Sequence, residues 1–204
     1  MTAHPFLWER GSLKDLGTLG GSFGVATSVS DSGDVVGGAT NQNDQAFLAF
    51  VWKNGVMTNL GTLQGDDCSL ATNVNSGGQI VGFSFPCAGG SSHAFLWARG
   101  SILDLNTFLP PGSDLQLTEA TFINERREIA VQGMLPNGDT RAVLLVPAGQ
   151  DQTDMGRSTP STQSSLTRTS TVTRGNLTPG EMIAALRARF GKRYHIPSLG
   201  LPTQ

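Results

Sequence analysis

The chain has 204 residues, a net charge of −2 and a hydrophobic fraction of 38%. This balance is that of a folded domain and gives no reason to expect a nucleic-acid partner, which would favour a strongly basic surface. No run approaches the roughly 20 apolar residues that a membrane-spanning helix needs, so the sequence predicts no transmembrane segment.

A short apolar motif that ends in tryptophan recurs along the chain. It places Trp8, Trp52 and Trp97 at spacings of 44 and 45 residues, and Leu145 takes a looser fourth position 48 residues further on. A regular period in this range is typical of propellers and other repeat arrays, in which equivalent positions pack between neighbouring sheets. We therefore predict that these four residues form an equivalent core set, with Trp52 and Trp97 largely buried.

Each repeat contains four short β-branched or aromatic runs separated by turn residues, which favours strands over helices. We predict an all-β, propeller-like array of three four-stranded antiparallel blades within a domain of residues 1–147. The blades are predicted at about 12–52, 56–97 and 101–146, and residues 4–8 remain as an orphan strand whose blade mates would lie upstream. Because single-chain propellers have about four to eight blades, three blades would form an open arc, or self-association would complete the propeller.

The second repeat contains the clearest turn, at Gly77-Gly78, which predicts a hairpin with a two-residue loop. In that register the numbers of opposed residues sum to 155, and those of Cys68 and Cys87 do so too. They are the chain's only two cysteines. A disulfide between them would indicate an oxidising compartment, whereas the alternative is a pair of free buried thiols in a cytosolic protein.

The third repeat departs from the other two. Arg127 stands where they have Gly33 and Gly78, and Val131 also replaces a glycine. This hairpin should therefore use another turn geometry or carry local strain. An insertion at residues 109–115, rich in Pro and Gly, predicts a surface loop.

The last part of the chain has a different composition. Residues 1–147 contain seven basic and thirteen acidic residues, a net charge of −6, whereas the remainder contains seven basic and three acidic residues, a net of +4. We predict a disordered Ser/Thr/Gln-rich linker at 148–177 and a basic tail at 178–204. A capping box predicts a short amphipathic helix at 179–190, which would fray, dock on the acidic domain, or contact a membrane surface or nucleic acid.

The residues that could carry chemistry all have simpler structural explanations. His4 and His93 occupy the same repeat position, which makes them architectural, and the pair Asp66-Asp67 lacks the ligand spacing of a calcium loop. The glycine-rich segment 20–24 precedes a strand and lacks a phosphate-binding lysine. Two cysteines are too few for a structural zinc site. We therefore predict no catalytic residue, no metal site, no cofactor and no enzymatic activity.

The repeats resemble the HAF-repeat family of bacterial extracellular repeat proteins, named for the triplet that stands here as His93-Ala94-Phe95. The run from Asp15 to Gly21 and the hairpin from Val74 to Gly82 match as well, and the resemblance covers residues 4–147. It implies an exported, propeller-like protein without established enzymatic activity, so no functional residue can be carried over. We expect an extracellular or cell-surface location, or a cytoplasmic one if the start without a signal peptide is genuine.

Three functions remain open at this point. The first is a non-catalytic, exported structural or interaction module whose loops present a binding face to an unknown protein or glycan. The second is a carbohydrate-binding or carbohydrate-processing propeller, in which exposed tryptophans stack on sugar rings. The third is a truncated fragment of a larger secreted propeller.

Overall fold

The computed structural model describes residues 2–147, which form thirteen strands and two short 3₁₀ helices. The predicted linker at 148–177, the basic tail at 178–204 and its helix at 179–190 lie outside the described residues. Within the described part, no helix is long and apolar enough to cross a membrane. The strands, in chain order, are β1 (Phe6–Glu9), β2 (Ser12–Asp15), β3 (Gly20–Val29), β4 (Val35–Asn41), β5 (Phe47–Lys53), β6 (Val56–Gly61), β7 (Cys68–Val74), β8 (Ile80–Phe85), β9 (His93–Ala98), β10 (Ser101–Asp104), β11 (Gln116–Ile123), β12 (Ile129–Met134) and β13 (Thr140–Leu145). The 3₁₀ helices are Gln42–Asp44 and Leu105–Phe108.

The strands form four separate antiparallel units, and strand order follows chain order in each. We call them hairpin I (β1–β2), sheet II (β3–β6), sheet III (β7–β10) and sheet IV (β11–β13). The prediction of an all-β, antiparallel architecture is therefore confirmed. None of the sheets closes on itself, since each ends in two different edge strands.

The prediction of three four-stranded blades at 12–52, 56–97 and 101–146 is wrong, because it assigns one strand of each repeat to the wrong sheet. The strand that follows each tryptophan pairs back onto the tryptophan strand. Thus Trp8 lies opposite Leu13, Trp52 opposite Met57, and Trp97 opposite Ile102. Residues 4–8 are likewise not an orphan strand, since β1 pairs with β2.

The turn chemistry explains this pairing. The two-residue loops after the tryptophan strands are Arg10-Gly11, Asn54-Gly55 and Arg99-Gly100, and all six residues have positive φ, between 49° and 89°. Positive φ at both central positions defines a type I′ turn, whose twist matches that of a two-stranded hairpin. The tightest turn of the repeat therefore joins the last two strands of one sheet, whereas the prediction used it to connect one blade to the next.

The hairpin at Gly77-Gly78 also differs from its prediction. Its loop has three residues, because the backbone amide of Asn75 donates a hydrogen bond to the backbone carbonyl of Gln79 at 3.1 Å. Within that loop only Gly78 has a positive φ, of 71°. Val74 therefore lies opposite Ile80, and a bulge after Ala71 shifts the register once more. The numbers of paired residues never sum to 155, so the predicted register is wrong.

The turn of the third repeat has the same geometry as the turn at Gly77-Gly78. Of the two alternatives predicted for it, another turn geometry or local strain, the structure shows the strain. The backbone amide of Asn124 donates to the Glu128 carbonyl, as that of Asn75 does to the Gln79 carbonyl. Arg127 takes a φ of 64°. A side chain at positive φ brings its Cβ close to the following carbonyl, which costs free energy that glycine avoids. The insertion at 109–115 is a largely exposed loop, as predicted.

Neighbouring sheets stack face to face through apolar clusters. We call the face of a sheet toward the next sheet in the chain its front, and the face toward the preceding sheet its back. The front of sheet II packs on the back of sheet III through Val36, Ala49 and Leu60 against Ala71, Val74, Ile80 and Phe95. The front of sheet III packs on the back of sheet IV around Val81, Leu117 and Ile129. Hairpin I covers the back of sheet II, where Leu7 and Leu16 meet Phe50 and Trp52.

Threonines on the first strand of each sheet link the stack by hydrogen bonds. The Thr27 hydroxyl lies 2.7 Å from the Ala71 carbonyl oxygen in sheet III, and the Thr72 hydroxyl lies 2.6 Å from the Ala120 carbonyl oxygen in sheet IV. Thr121 is the equivalent residue of sheet IV. Its hydroxyl donates within its own sheet, to the Ala130 carbonyl at 3.2 Å.

Candidate functional site

The predicted core set occupies equivalent positions that differ in burial. Trp52 is buried, with 7% of its surface exposed, whereas Trp97 and Leu145 are half-buried at the margins of two core clusters. Trp8 is 68% exposed, because no sheet lies on the back of hairpin I among the described residues. Trp52 is thus buried as predicted, Trp97 only in part, and Trp8 belongs to the surface.

The predicted disulfide is present. Cys68 and Cys87 are bonded, with their Cα atoms 5.2 Å apart. Cys68 pairs across the ladder with Phe85, and Cys87 lies two residues beyond it, after Pro86. Strand register alone therefore does not bring the sulfurs together; the turn that follows β8 does. The bond lies in an apolar cluster with Phe23, Leu70 and Phe83.

Asp67 and the two cysteine sulfurs lie within 4.8 Å of one another, a grouping that could hold a metal ion if the thiols were free. Both sulfurs are bonded to each other, so neither is available as a thiolate ligand. The Asp67 carboxylate accepts a hydrogen bond from the Cys87 backbone amide. This arrangement anchors the loop around the disulfide and offers one carboxylate at most.

The second chemical cluster centres on His93, at the start of β9. Its Nδ1 lies 3.0 Å from the Asp66 carboxylate, whose side chain is 1% exposed, while the imidazole itself is 35% exposed. The buried carboxylate fixes the ring and leaves its outer edge toward solvent. Thr62 joins the same loop, because its hydroxyl donates to the Asp66 carbonyl at 2.9 Å.

Two adjoining cavities share His93 and Asp104. One, of about 430 Å³, is also lined by Thr62, Leu63, Gln64 and Ile102. The other, of about 510 Å³, is lined by the insertion loop, including Leu109, Pro110 and Ser113. The Asp104 carboxylate accepts hydrogen bonds from the Asn106 amide and side chain, at 2.8 and 2.9 Å. The cleft therefore combines one histidine with carboxylates that already serve the local fold.

His4, the repeat equivalent of His93, makes a different bond. Its Nδ1 lies 2.9 Å from Asp15, eleven residues later, whereas His93 bonds Asp66 and not Asp104, which is also eleven residues later. Hydrogen bonding from the His4 imidazole, and next from the Gly17 amide, holds the pKa of the Asp15 carboxyl below its ordinary value of 3.8. Both histidines thus bond a carboxylate that lies on another segment of the chain.

The hydrogen bonding of the cleft centres on His93 within the described part of the chain. His93 is hydrogen-bonded to a carboxylate there, and no hydroxyl or thiol is bonded to it. The arrangement can hold a small polar group between an imidazole and a carboxylate, which is a binding function.

Comparison with known proteins does not assign the chain. No family model, no curated protein and no solved structure matches it.

Sequence reasoning missed the residues that link the sheets and those at the two ends of the stack. The Ala-Thr dipeptides at 26–27, 71–72 and 120–121 are visible as a repeat in the sequence, and the alanines of the second and third dipeptides, Ala71 and Ala120, accept the bonds from Thr27 and Thr72. That dipeptide was the available signal. No local sequence pattern indicates that an end face is exposed, because its exposure depends on which sheets stack on it.

Proposed function

We propose that the chain is a non-catalytic structural or interaction module of an exported protein, of the kind that the resemblance to HAF-repeat proteins implies. One observation carries the proposal. Two sheet faces of the type that is buried inside the stack are uncovered at its ends, among the described residues. Uncovered apolar rows on an otherwise polar surface mark contact sites for other macromolecules.

The first uncovered face is the front of sheet IV. Phe122 and Leu144 lie on either side of Ala130 in one row across the sheet, and their side chains are 53% and 55% exposed. The second is the back of hairpin I, which exposes Phe6, Trp8 and Leu13. Large aromatic side chains such as Trp8 are among the residues that contribute most to the binding energy of protein interfaces.

The disulfide supports the part of the proposal that concerns export, because such bonds persist in oxidising compartments and are rare in the cytosol. Export is tested by alkylating the free thiols in the producing cells and then measuring the mass of the protein. We expect Cys68 and Cys87 to escape alkylation until a reductant is added. Alkylation of both thiols without a reductant would contradict export.

Site-specific cross-linking tests the interaction function. A photoreactive phenylalanine derivative replaces Phe122, and in a matched control it replaces Phe108, which is 60% exposed but lies on the Leu105–Phe108 3₁₀ helix, outside both end faces. In the producing cells we expect discrete cross-linked species from position 122 and none from position 108. Equal cross-linking at the two positions, or none at either, would reject the proposal.

The two cavities at His93 favour carbohydrate binding as a second candidate. A cleft of this size with an imidazole and a carboxylate could hold a sugar. However, neither cavity is lined by tryptophan, and Trp52 and Trp97 are turned into the stack, so stacking on a sugar ring has no support from them. A glycan array decides this: binding by the wild type that His93→Ala abolishes would replace the interaction function with a carbohydrate-binding one.

A further inference from the structure

Each complete sheet uses the same row of its front to receive the next sheet. The central residue of the row is Val36 in sheet II and Val81 in sheet III, and both are fully buried by the sheet that follows. Strand pairing identifies the equivalent positions. The three rows are Ser28, Val36 and Val51; Asn73, Val81 and Leu96; and Phe122, Ala130 and Leu144. Sheet IV therefore presents the receiving row of the stack with nothing described on it.

The back of each tryptophan hairpin is the surface that fits such a row. In sheet III, Trp97 and Ile102 pack in one cluster with Val36 and Val51 of the sheet before it. In sheet II, Trp52 and Met57 pack likewise on Leu7 of hairpin I. The pair Trp8 and Leu13 is the third member of this series and has no described partner.

These two unpartnered faces are complementary halves of one interface. We propose that the front of sheet IV in one copy of the chain binds the back of hairpin I in a second copy, head to tail. This inference rests on the proposed interaction function and names its partner. Leu144 takes the place of Val51, and Trp8 and Leu13 take the places of Trp97 and Ile102, so the contact continues the interface that already joins sheets II and III.

The large side chain of Phe122 fits this arrangement. In sheets III and IV the first strand, β7 or β11, contacts Ser28 or Asn73 of the sheet before it, and the two-stranded hairpin I has no equivalent of that strand. The first position of the receiving row is small and polar where those strands are present, and it is a phenylalanine in sheet IV, where the incoming partner would lack them. Apolar bulk at that position fills part of the space that the missing strands would occupy.

The contact is heterologous, since two different faces meet. Such contacts produce a ring if the rotation between copies closes, and an open filament if it does not. Two end variants separate these cases from non-specific association. The front variant carries Phe122→Ser and Leu144→Ser, and the hairpin variant carries Trp8→Ser and Leu13→Ser. A control variant carries Phe108→Ser and Val56→Ser, at positions 60% and 63% exposed that lie outside both faces.

Sedimentation of the full chain over about a hundredfold range of concentration provides the measurement. We expect the wild type and the control variant to form oligomers as concentration rises, and each end variant alone to remain monomeric. An equimolar mixture of the two end variants keeps one intact front and one intact hairpin back. It should therefore form a heterodimer and nothing larger.

Several outcomes would overturn the proposal. They are a wild type that stays monomeric, a mixture that stays monomeric, and end variants that associate as well as the wild type. If a double variant fails to show the circular dichroism spectrum of the wild type, the single variants Leu144→Arg and Leu13→Arg take its place, since both residues are exposed. A monomeric chain whose position 122 still cross-links to another protein would refute the second copy as partner and leave the interaction function standing. An intramolecular cross-link, from position 122 to residues of the same molecule, would refute both.

Discussion

Arg127 occupies, with a φ of 64°, a turn position that glycine fills in sheets II and III, with φ of 83° at Gly33 and 71° at Gly78. The backbone hydrogen bonds of the three turns are otherwise the same. We predict that Arg127→Gly raises the free energy of unfolding by about 1 kcal/mol, because it relieves the left-handed conformation at an exposed site. Urea unfolding followed by circular dichroism measures the change.

The converse substitution serves as the control. Gly78→Ala introduces a Cβ at positive φ where no atom lies within 4 Å, so any loss reports the backbone conformation alone. We expect a loss of about 1 kcal/mol. If Arg127→Gly instead lowers the stability, the arginine side chain contributes more than its backbone costs.

Glu128, next to this turn, makes sheet IV sensitive to acid. Its carboxylate accepts hydrogen bonds first from the Asn124 side chain and then from Arg126, and these hold the pKa of the group below its ordinary value of 4.5. A lowered pKa in the folded state means that the stabilisation is fully present above pH 4.5 and is lost as the pH falls through the folded value.

We predict that Glu128→Gln lowers the stability at neutral pH, and that the difference from wild type shrinks as the pH falls below 4.5. Unfolding midpoints measured at a series of pH values give both curves. Glu125→Gln is the neighbouring control, since its carboxylate bonds Ser76 and not the residues of this turn. A difference that stays constant from neutral to acid pH would contradict the assignment.

At the scale of single residues, the sequence predicted the disulfide, and it gave strain at Arg127 as one of two alternatives. It predicted both from identity and spacing, which are local properties. The disulfide formed although the register used to predict it is wrong, because the turn after Pro86 returns Cys87 toward Cys68. The exposure of Trp8 could not be predicted in the same way, since its surrounding motif is the same as that of the buried Trp52.

At the scale of strands, the sequence predicted their type and their repetition but assigned them to sheets one strand out of phase. The signal that decides the phase was present at Asn54-Gly55, which is a strong hairpin sequence. The analogous loops at Arg10-Gly11 and Arg99-Gly100 have an arginine at the first position, which seldom takes positive φ, and so they hide the same turn. The Gly77-Gly78 dipeptide predicted a two-residue loop at a hairpin whose loop in fact has three residues.

The threonine links between sheets give a direct test of the stack. We predict that Thr72→Val lowers the free energy of unfolding by about 1 kcal/mol, because valine keeps the shape but loses the hydroxyl, which lies 2.6 Å from the Ala120 oxygen in the next sheet and 3.1 Å from the Val81 oxygen in its own. Chemical denaturation measures it.

Thr121→Val provides the matched control. It removes a hydroxyl at the equivalent position, whose described bond stays within sheet IV and whose side chain is exposed. We expect a loss below about 0.5 kcal/mol for the monomer. Equal losses at the two positions would show that the bond between sheets adds nothing beyond the bond within a sheet.

Across the whole molecule, the disulfide ties β7 to the turn that follows β8 and closes a loop around these two strands, which form one edge of sheet III. The two cysteines are 19 residues apart in sequence. We predict that replacing both with alanine lowers the free energy of unfolding by about 3 kcal/mol, chiefly because the unfolded chain regains the freedom of that loop. Thermal unfolding of the double variant, with the wild type in a reductant as the second sample, measures the effect. A double variant as stable as the oxidised wild type would contradict this prediction.

The candidate site could be predicted only in part at this scale. The sequence singled out His93 only as an architectural residue and did not point to Asp104, and the loop insertion at 109–115 that lines one of the two cavities has no counterpart in the other repeats. The end faces depend on the number of sheets that stack, which no local pattern encodes. Residue periodicity thus predicts which residues pack between neighbouring sheets. Only the assembled stack shows which of these sheet faces has no neighbouring sheet.

The face-to-face order of the four units also determines how the molecule comes apart. Each unit gains most of its packing from the sheets directly before and after it, so its resistance to opening depends on how many neighbours it has, as in a one-dimensional chain of coupled units. Sheets II and III each have two neighbours, whereas hairpin I and sheet IV each have one among the described residues. Amide hydrogens of β1 and β2 should therefore exchange with solvent fastest and those of β4 and β8 slowest, and the molecule should unzip from its ends toward the middle.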